Sequence, residues 1–299
     1  MSLLNSVSSY MISNLPKITI VTPSFNQGKY LEDTILSVLS QGYPNLEYII
    51  IDGGSIDNSV SIIRKYENQL AYWVSEKDEG LYHGLQKGFA KSTGEIMAWI
   101  NADDMHHKKS LFLVADIFKK FRDVSWIMGS NTYFDESGNP FVFDYLPHAQ
   151  RWSRSRLLLC DGQFIQQESV FWRRSLWDKA GGYIDQNYSL AADFELWLRF
   201  FRFEKLYTTS FMLGGFRFRS ENQKSFNERN HYLQQAASLA AGEKKTYGKT
   251  VNLYLSRTLL FLAKVIPKQK WRERIYARIL GLPPKIISDR IEGMVFDKR

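Results

Sequence analysis

Three short polar clusters each follow an apolar run, and each carries side chains that can bind or move charge. In Asn101-Ala102-Asp103-Asp104 two adjacent carboxylates repel one another unless a cation lies between them. A divalent ion with oxygen ligands relieves that repulsion and can hold a diphosphate as well. A solvated turn, or a cap for the helix that follows, is the plainer use of the same residues. In Asp52-Gly53-Gly54-Ser55 the glycines permit close backbone approach, and Asp52 can accept a hydrogen bond from a nucleobase N–H. The stretch can equally be a simple turn between strand and helix. Ser24-Phe25-Asn26 follows Pro23, and Phe25 there can stack on a base or fill the core. Later, Asp193 and Glu195 stand at the start of an apolar helical pattern, AADFELWLR. A carboxylate at that place can cap the helix or act as general base toward a hydroxyl. His83, His106 and His107 lie in separate segments without metal-ligand spacing.

The elements that must position these groups alternate in type. Strands are expected at 17–22 (ending at Pro23), 46–51, 71–75 and 96–100, and helices at 30–40, 59–66, 81–92 and 110–121. Asp57 or Asn58 is placed to cap the second helix. This β–α order predicts a mostly parallel sheet with helices on both faces, in which ligands sit at the carboxyl ends of the strands. All three polar clusters fall at such ends and converge on one edge. From about 125 the texture changes. Strands are expected at 126–130, 139–145, 169–172 and 211–218. Helices are expected at 151–159, 175–179 and 190–203, and 226–280 reads as mostly helical.

The 299 residues, with 44% hydrophobic and 23% charged side chains, exclude a disordered chain or a fibre. The lone Cys160 excludes an internal disulfide and a multi-cysteine zinc site. The net charge of +8 is unevenly spread: residues 1–242 sum to −1 and residues 243–299 to +9. Such a basic segment can attract an anionic membrane surface, or can be a helical cap with a solvated face. No nucleic-acid motif accompanies it. Residues 1–15 lack a signal-peptide pattern and read as a tail, and 258–266 is too short an apolar run to span a bilayer.

Taken in order, ITIVTPSFN (18–26), IDGGSID (51–57), Ser75-Glu76-Lys77-Asp78, Gly80-Leu81-Tyr82, Asn101 to Asp104, Phe171-Trp172-Arg173-Arg174, Gly181-Gly182-Tyr183 and DFELWLR (193–199) resemble the inverting family 2 glycosyltransferases, over about two thirds of the chain. The resemblance implies a GT-A fold, an α/β Rossmann-like sheet flanked by helices. Its catalytic domain would span 16–225, with a nucleotide-sugar half at 16–130 and an acceptor half at 131–225. A basic helical extension would follow at 226–299. It implies donor-binding roles for Pro23, Phe25, Asn26, Asp52, Asp78, Gly80, Asn101 and Asp103, and metal ligation (Mn²⁺ or Mg²⁺) by Asp103 and Asp104. It makes Asp193 the base and gives the acceptor side Gly181, Gly182, Trp172 and Glu195. The reaction implied is transfer of a sugar, with inversion, from a nucleotide-diphospho-sugar, UDP favoured, to a glycan or lipid-linked acceptor. The setting would be cytoplasmic polysaccharide biosynthesis, extending to the inner face of the cell membrane. The chain departs from the family pattern at Asn101, Glu79, His83, Gln86 and Arg219, the last standing where a late metal-ligating histidine is usual.

A dehydrogenase would need a GxGxxG turn after the first strand, and a glycoside hydrolase lacks a strand-end acidic motif. A nucleotidyltransferase and a non-catalytic nucleotide-sugar binder stay open.

Overall fold

The computed structural model describes residues 15–141, 150–159, 164–220, 223–247, 258, 266 and 268–297. The first half is a parallel βα series: β1 (Ile18–Ser24), α1 (Leu31–Leu39), β2 (Leu46–Asp52), α2 (Ser59–Tyr66), β3 (Tyr72–Ser75), α3 (Leu81–Lys91), β4 (Ile96–Trp99), β5 (Met105–His106) and α4 (Ser110–Lys120). Then come β6 (Trp126–Met128), β7 (Tyr133–Phe134), β8 (Pro140–Phe141), α5 (Arg154–Leu157), β9 (Val170–Arg173), α6 (Arg174–Lys179) and α7 (Ala192–Phe201). The chain continues through β10 (Leu206–Thr208), β11 (Gly214–Arg217), α8 (Lys224–Asn227), α9 (Arg229–Tyr247) and α10 (Gln269–Leu280), and closes on the hairpin of β12 (Ile286–Asp289) and β13 (Gly293–Phe296).

The central sheet has the order β10-β6-β9-β4-β1-β2-β3. Only β9 runs against its neighbours; β1 with β2, β1 with β4, β2 with β3 and β6 with β10 are parallel. β1 is buried along its whole length, as a central strand covered on both faces must be. It does not stop before Pro23, as the sequence suggested, but carries that proline in register with Ile51. Val21 accepts from Ile100 N on the β4 side, so alternation turns Pro23 toward that side just where the β4 ladder has ended. Its missing N–H therefore costs no ladder bond. Ser24 faces β2 and accepts from Gly53 N at 2.8 Å.

Glu47 locks the amino end of this sheet. Its carboxylate receives Lys17 Nζ (2.7 Å), Thr19 Oγ1 (2.6 Å), Thr93 N and Oγ1 (2.6 Å each) and Gly94 N (3.2 Å). Burial pushes the carboxyl up, but these donors outweigh it and hold it at about 2. The charged form thus contributes roughly 3 kcal/mol at neutral pH, fully present above the unfolded value near 4.5 and lost as pH falls toward 2. Glu47→Gln is expected to melt well below wild type at pH 7, and the two melting curves are expected to converge in acid.

The carboxyl half of the sheet is welded by aromatic rings. Trp99 of β4 stacks on Trp197 of α7 at 5.5 Å, and Trp172 lies within 5.6 Å of Trp99 and 6.0 Å of Trp197. Trp126, Phe89 and Phe200 close the cluster. One packed unit thereby fixes α7 against the strand that leads into Asn101.

Several expectations change in detail. The strand at 139–145 is only Pro140–Phe141 among the described residues, and the helix at 151–159 is only Arg154–Leu157. The strand at 211–218 shortens to Gly214–Arg217, and β5, β7 and β10 were not foreseen. β5, β11, β7 and β8 form a second, four-stranded sheet. The C-terminal extension is helical at α9 and α10 but ends in a hairpin, with Ile286 buried and bridged to Thr209. α9 is pinned by buried Glu243, which pairs with Arg154 (2.9 Å) and Arg202 (2.6 Å). The tail at 1–14, Cys160 and most of 258–266 lie outside the described residues. No described helix is long and apolar enough to cross a membrane.

Candidate active site

The loops after β1, β2 and β4 meet at the carboxyl edge of the sheet. Asp52 is the buried anchor of the second loop. Its carboxylate accepts from Gly54 N (3.2 Å), Ser55 N (2.9 Å), Ser55 Oγ (2.5 Å) and Ser75 Oγ (2.7 Å). Gly54, at φ +83°, makes the turn that presents those amides. Asn26, at φ 51°, ties the first loop to the second: its N donates to Ser55 Oγ (2.7 Å) and its Oδ1 accepts from Ile56 N (2.9 Å). Asp57 accepts from both Gly28 N and Ser59 N at 2.9 Å, so Asp57 rather than Asn58 supplies the cap. Phe25 is left 57% exposed at the mouth of this frame.

Asp78 rests against two glycines. A Cβ on Gly53 would meet its carboxyl at 2.9 Å and one on Gly84 at 3.2 Å. Its Oδ1 accepts from Gly80 N at 2.9 Å, and Gly80 holds φ +113° at the entry to α3. Pro23, Phe25, Asn26, Asp52, Asp78 and Gly80, expected on the donor side, thus lie at the carboxyl ends of β1, β2 and β3 along one edge of the sheet.

The two acids after β4 have different surroundings. Asp104 is buried; Oδ1 accepts from Arg217 N (2.9 Å) and Oδ2 from Asn101 Nδ2 (3.1 Å). Burial, then the charges of Asp103 and Glu168, push its carboxyl well above the usual range. Both of its oxygens thus brace the loop from within. Asp103 is half-buried and faces Arg219, with Nε 3.1 Å from Oδ2. Burial raises its carboxyl despite Arg219. Arg219 also donates to Gln27 Oε1 (3.1 Å), and buried Arg217 donates to Asp33 Oδ2 (3.0 Å).

Among the described residues no group of three His, Cys, Asp or Glu is arranged to hold a metal. The oxygen set still fits a hard divalent ion of the kind that takes one carboxylate and completes its shell with substrate phosphates. Asp103 offers that carboxylate, and the buried Asn101 Oδ1 has no hydrogen-bond partner. His106 is buried and packs on Phe171, and burial drives its ring down to about 3, which keeps it neutral.

Asp193 lies in the first turn of α7. Oδ1 accepts from Phe194 N (2.7 Å), and Tyr232 OH of α9 stands 3.3 and 3.4 Å from its two oxygens. Burial raises the carboxyl to about 6, against the pull of those donors. The helix is steered by Tyr82, whose OH donates to Leu190 O at 2.6 Å. Gly181 (φ +106°) and Gly182 (φ +71°) form a turn held by Arg199, which donates to Ala180 O (2.6 Å) and Tyr183 O (2.8 Å).

Two acceptor-side expectations are corrected here. Glu195 is buried and bound to Arg199 at 2.7 Å, so it orients the guanidinium that shapes the glycine turn. Trp172 is fully buried in the ring cluster and cannot meet a ligand without opening the core. The sequence reading missed Glu168, Tyr232 and Arg217. Glu168 is a buried carboxyl just before β9; burial first, then the charges of Asp103 and Asp193, raise it to about 7. A lone acid in QQES, next to an apolar strand, was the available signal.

Comparisons with known proteins bear on the family and the fold. The model of Glycosyl transferase family 2 matches residues 19–174. An uncharacterized glycosyltransferase of Mycobacterium tuberculosis strain H37Rv is 30% identical over 194 residues, 63% of this chain and 70% of that protein. Among solved structures, S. aureus TarS 1-349 in complex with UDP-GlcNAc superposes with a TM-score of 0.60 at 17% identity, covering 89% of this chain and 80% of that one. The mannosyltransferase PcManGT from Pyrobaculum calidifontis, in complex with GDP-Man and Mn²⁺, does so at 0.53 and 15%, covering 93% and 92%. Both likenesses are of fold.

Proposed function

The chain belongs to glycosyl transferase family 2, and from that premise we propose that it moves a sugar from a nucleoside-diphosphate donor, UDP favoured, to a hydroxyl of a glycan or lipid-linked acceptor, with inversion. The observation that carries this reading is the pairing of Asp193, at about 6, with the loop holding Asp103 through one shared aromatic cluster. A base and a leaving-group site on a single rigid body suit a one-step displacement.

In this reading Pro23, Phe25, Asn26 and Asp52 hold the base and ribose, with exposed Phe25 as the stacking surface. Asp78 and Gly80 shape the next part of the donor pocket. Asp103 and Asn101 would hold a divalent cation. Bound there, Mn²⁺ or Mg²⁺ supplies charge stabilisation for the departing diphosphate. Arg219 sits beside Asp103 and adds a second positive group to the same end of the cleft. Asp193 takes the proton from the acceptor hydroxyl as its oxygen attacks the anomeric carbon from the face opposite the diphosphate. The C–O bond to the diphosphate breaks as the new C–O bond forms, so no sugar–enzyme intermediate arises and the configuration inverts. Gly181 and Gly182 flank the acceptor side.

These residue roles are tested by incubating the protein with UDP-glucose, UDP-galactose, UDP-N-acetylglucosamine and GDP-mannose plus Mn²⁺. Release of UDP or GDP is followed, and the anomeric configuration of the product is read by NMR. Release with an inverted product is expected. Binding without release would favour a non-catalytic binder, and pyrophosphate release from a sugar phosphate plus nucleoside triphosphate would favour a nucleotidyltransferase.

The same reading assigns segment 243–299 an anionic membrane surface. On α10 Trp271 is 60% exposed, and Lys268, Arg274 and Arg278 are exposed around it. At about 1 kcal/mol per basic residue, reversing all three charges to Glu is expected to weaken flotation with phosphatidylglycerol vesicles roughly 100-fold or more. Unchanged flotation would remove this partner.

A further inference from the structure

Glu168 takes no part in the reaction as described so far. It is 6% exposed, and its Oε2 has no hydrogen-bond partner among the described residues. The backbone that carries it is fixed on three sides. Gln167 Nε2 donates to Trp99 O at 2.7 Å, Ser169 O accepts from Gly129 N at 3.1 Å, and a Cβ on Gly214 would fall 2.0 Å from Glu168 O. The carboxyl therefore cannot find a partner by a shift of its own segment. A buried acceptor left unpaired costs stability, and a protein keeps such a group where a ligand completes it.

β9 runs against β4, with Met97 opposite Trp172, so the entry to β9, where Glu168 lies, stands at the edge where β4 ends and the Asn101–Asp104 loop begins. The charges of Asp103, Asp104 and Asp193 reach it there. Of these, Asp103 stands at the diphosphate end of the proposed reaction and Asp193 at the acceptor hydroxyl. In an in-line displacement the migrating sugar occupies the space between them. A carboxyl carried at that sheet edge, next to a segment tied to Trp99 O, is placed to meet that sugar, whose ring carries hydroxyls and no charge.

We propose that Glu168 hydrogen-bonds a hydroxyl of the transferred sugar and so selects the donor sugar. This rests on the glycosyl-transfer reading above, and adds to it a residue outside the loops after β1, β2 and β4. A site built to bond one hydroxyl rejects a sugar that lacks it or points it elsewhere, because the buried oxygen is then left unpaired.

The test is calorimetric titration of wild type, Glu168→Gln and Glu168→Ala with UDP-glucose, UDP-galactose, UDP-N-acetylglucosamine and GDP-mannose, beside UDP and GDP, all with Mn²⁺. For the sugar nucleotide bound best by wild type, Glu168→Ala is expected to weaken binding about 10- to 100-fold, the scale of a hydrogen bond to a charged group. Free UDP or GDP should change less than about twofold. Glu168→Gln keeps one acceptor oxygen and should fall between. Both variants should melt no lower than wild type, since burial raises the carboxyl to about 7 and its Oε2 has no partner among the described residues. Equal loss for sugar nucleotide and free nucleotide, or no loss, would overturn the proposal. So would a wild type that binds the free nucleotide and all four sugar nucleotides alike. A wild type that binds no nucleotide overturns the glycosyl-transfer reading itself, and this proposal with it.

Discussion

Asp193→Asn is expected to lower kcat by about 100- to 10 000-fold while leaving nucleotide affinity unchanged. The amide keeps the size of the side chain and can still accept from Phe194 N, so the helix start is preserved. What is lost is the site that receives the hydroxyl proton. The pH profile carries the sharper expectation. Burial raises this carboxyl to about 6, and a base works only when ionised, so kcat in wild type should fall about tenfold per pH unit below 6 and level off above it. The slope should vanish in the Asn variant. Stability should move the other way. A carboxyl raised in the fold disfavours its own charge there, so it destabilises the native state at neutral pH, by roughly 3 kcal/mol. Asp193→Asn is therefore expected to melt higher than wild type at pH 7, with the gain gone below about pH 4. A variant that loses rate but melts lower would point to a cap, not a base. Steady-state kinetics and thermal melts across pH 4–8 check both.

The sequence carried the sheet's first half in nearly every element because β1, β2 and β4 are continuous apolar runs, each ended by a polar cluster, and both signals are local. The three loops that frame the cleft follow from the same rule, since parallel strands put their carboxyl ends on one edge. The second sheet did not announce itself. Met105–His106, Tyr133–Phe134 and Pro140–Phe141 are too short to show a period of two; the first two are strands because each finds β11 far along the chain, and the third because it folds back on Tyr133–Phe134. Trp172 and Glu195 mislead for a related reason. Chemical type does not say which way a side chain points; the cluster around Trp99 and the guanidinium of Arg199 decide that. Glu168 shows the converse. Its role depends on Asp103 and Asp193, 65 residues before it and 25 after, and no local pattern records that meeting. The hairpin at Ile286–Phe296 follows Pro283-Pro284, which stops α10. The basic composition of the segment masked its change from helix to strand.

Asp103→Ala is expected to abolish the Mn²⁺ dependence of UDP or GDP binding and to lower turnover by at least 100-fold, on the scale of lost electrostatic stabilisation of a leaving group. Asp103 is the more open carboxylate of the loop, because Asp104 is buried and its two oxygens accept from Arg217 N and Asn101 Nδ2. Asp104→Asn should accordingly act on stability: its amide would set an N–H against one of those donors, while the metal dependence of binding persists. Arg219 supplies the opposing comparison. Its Nε lies 3.1 Å from Asp103 Oδ2, so guanidinium and metal ion draw on the same carboxylate. Arg219→Ala should therefore lower the Mn²⁺ concentration needed for half-maximal nucleotide binding, even as it weakens binding in the absence of metal. If Asp103→Ala instead binds nucleotide as wild type does, with the same response to Mn²⁺, the cation has another home. If Arg219→Ala leaves both quantities unchanged, its ion pair with Asp103 is structural and the guanidinium does not reach the diphosphate. Calorimetric titrations with Mn²⁺ and with chelator separate these outcomes, because the two substitutions push the metal requirement in opposite directions.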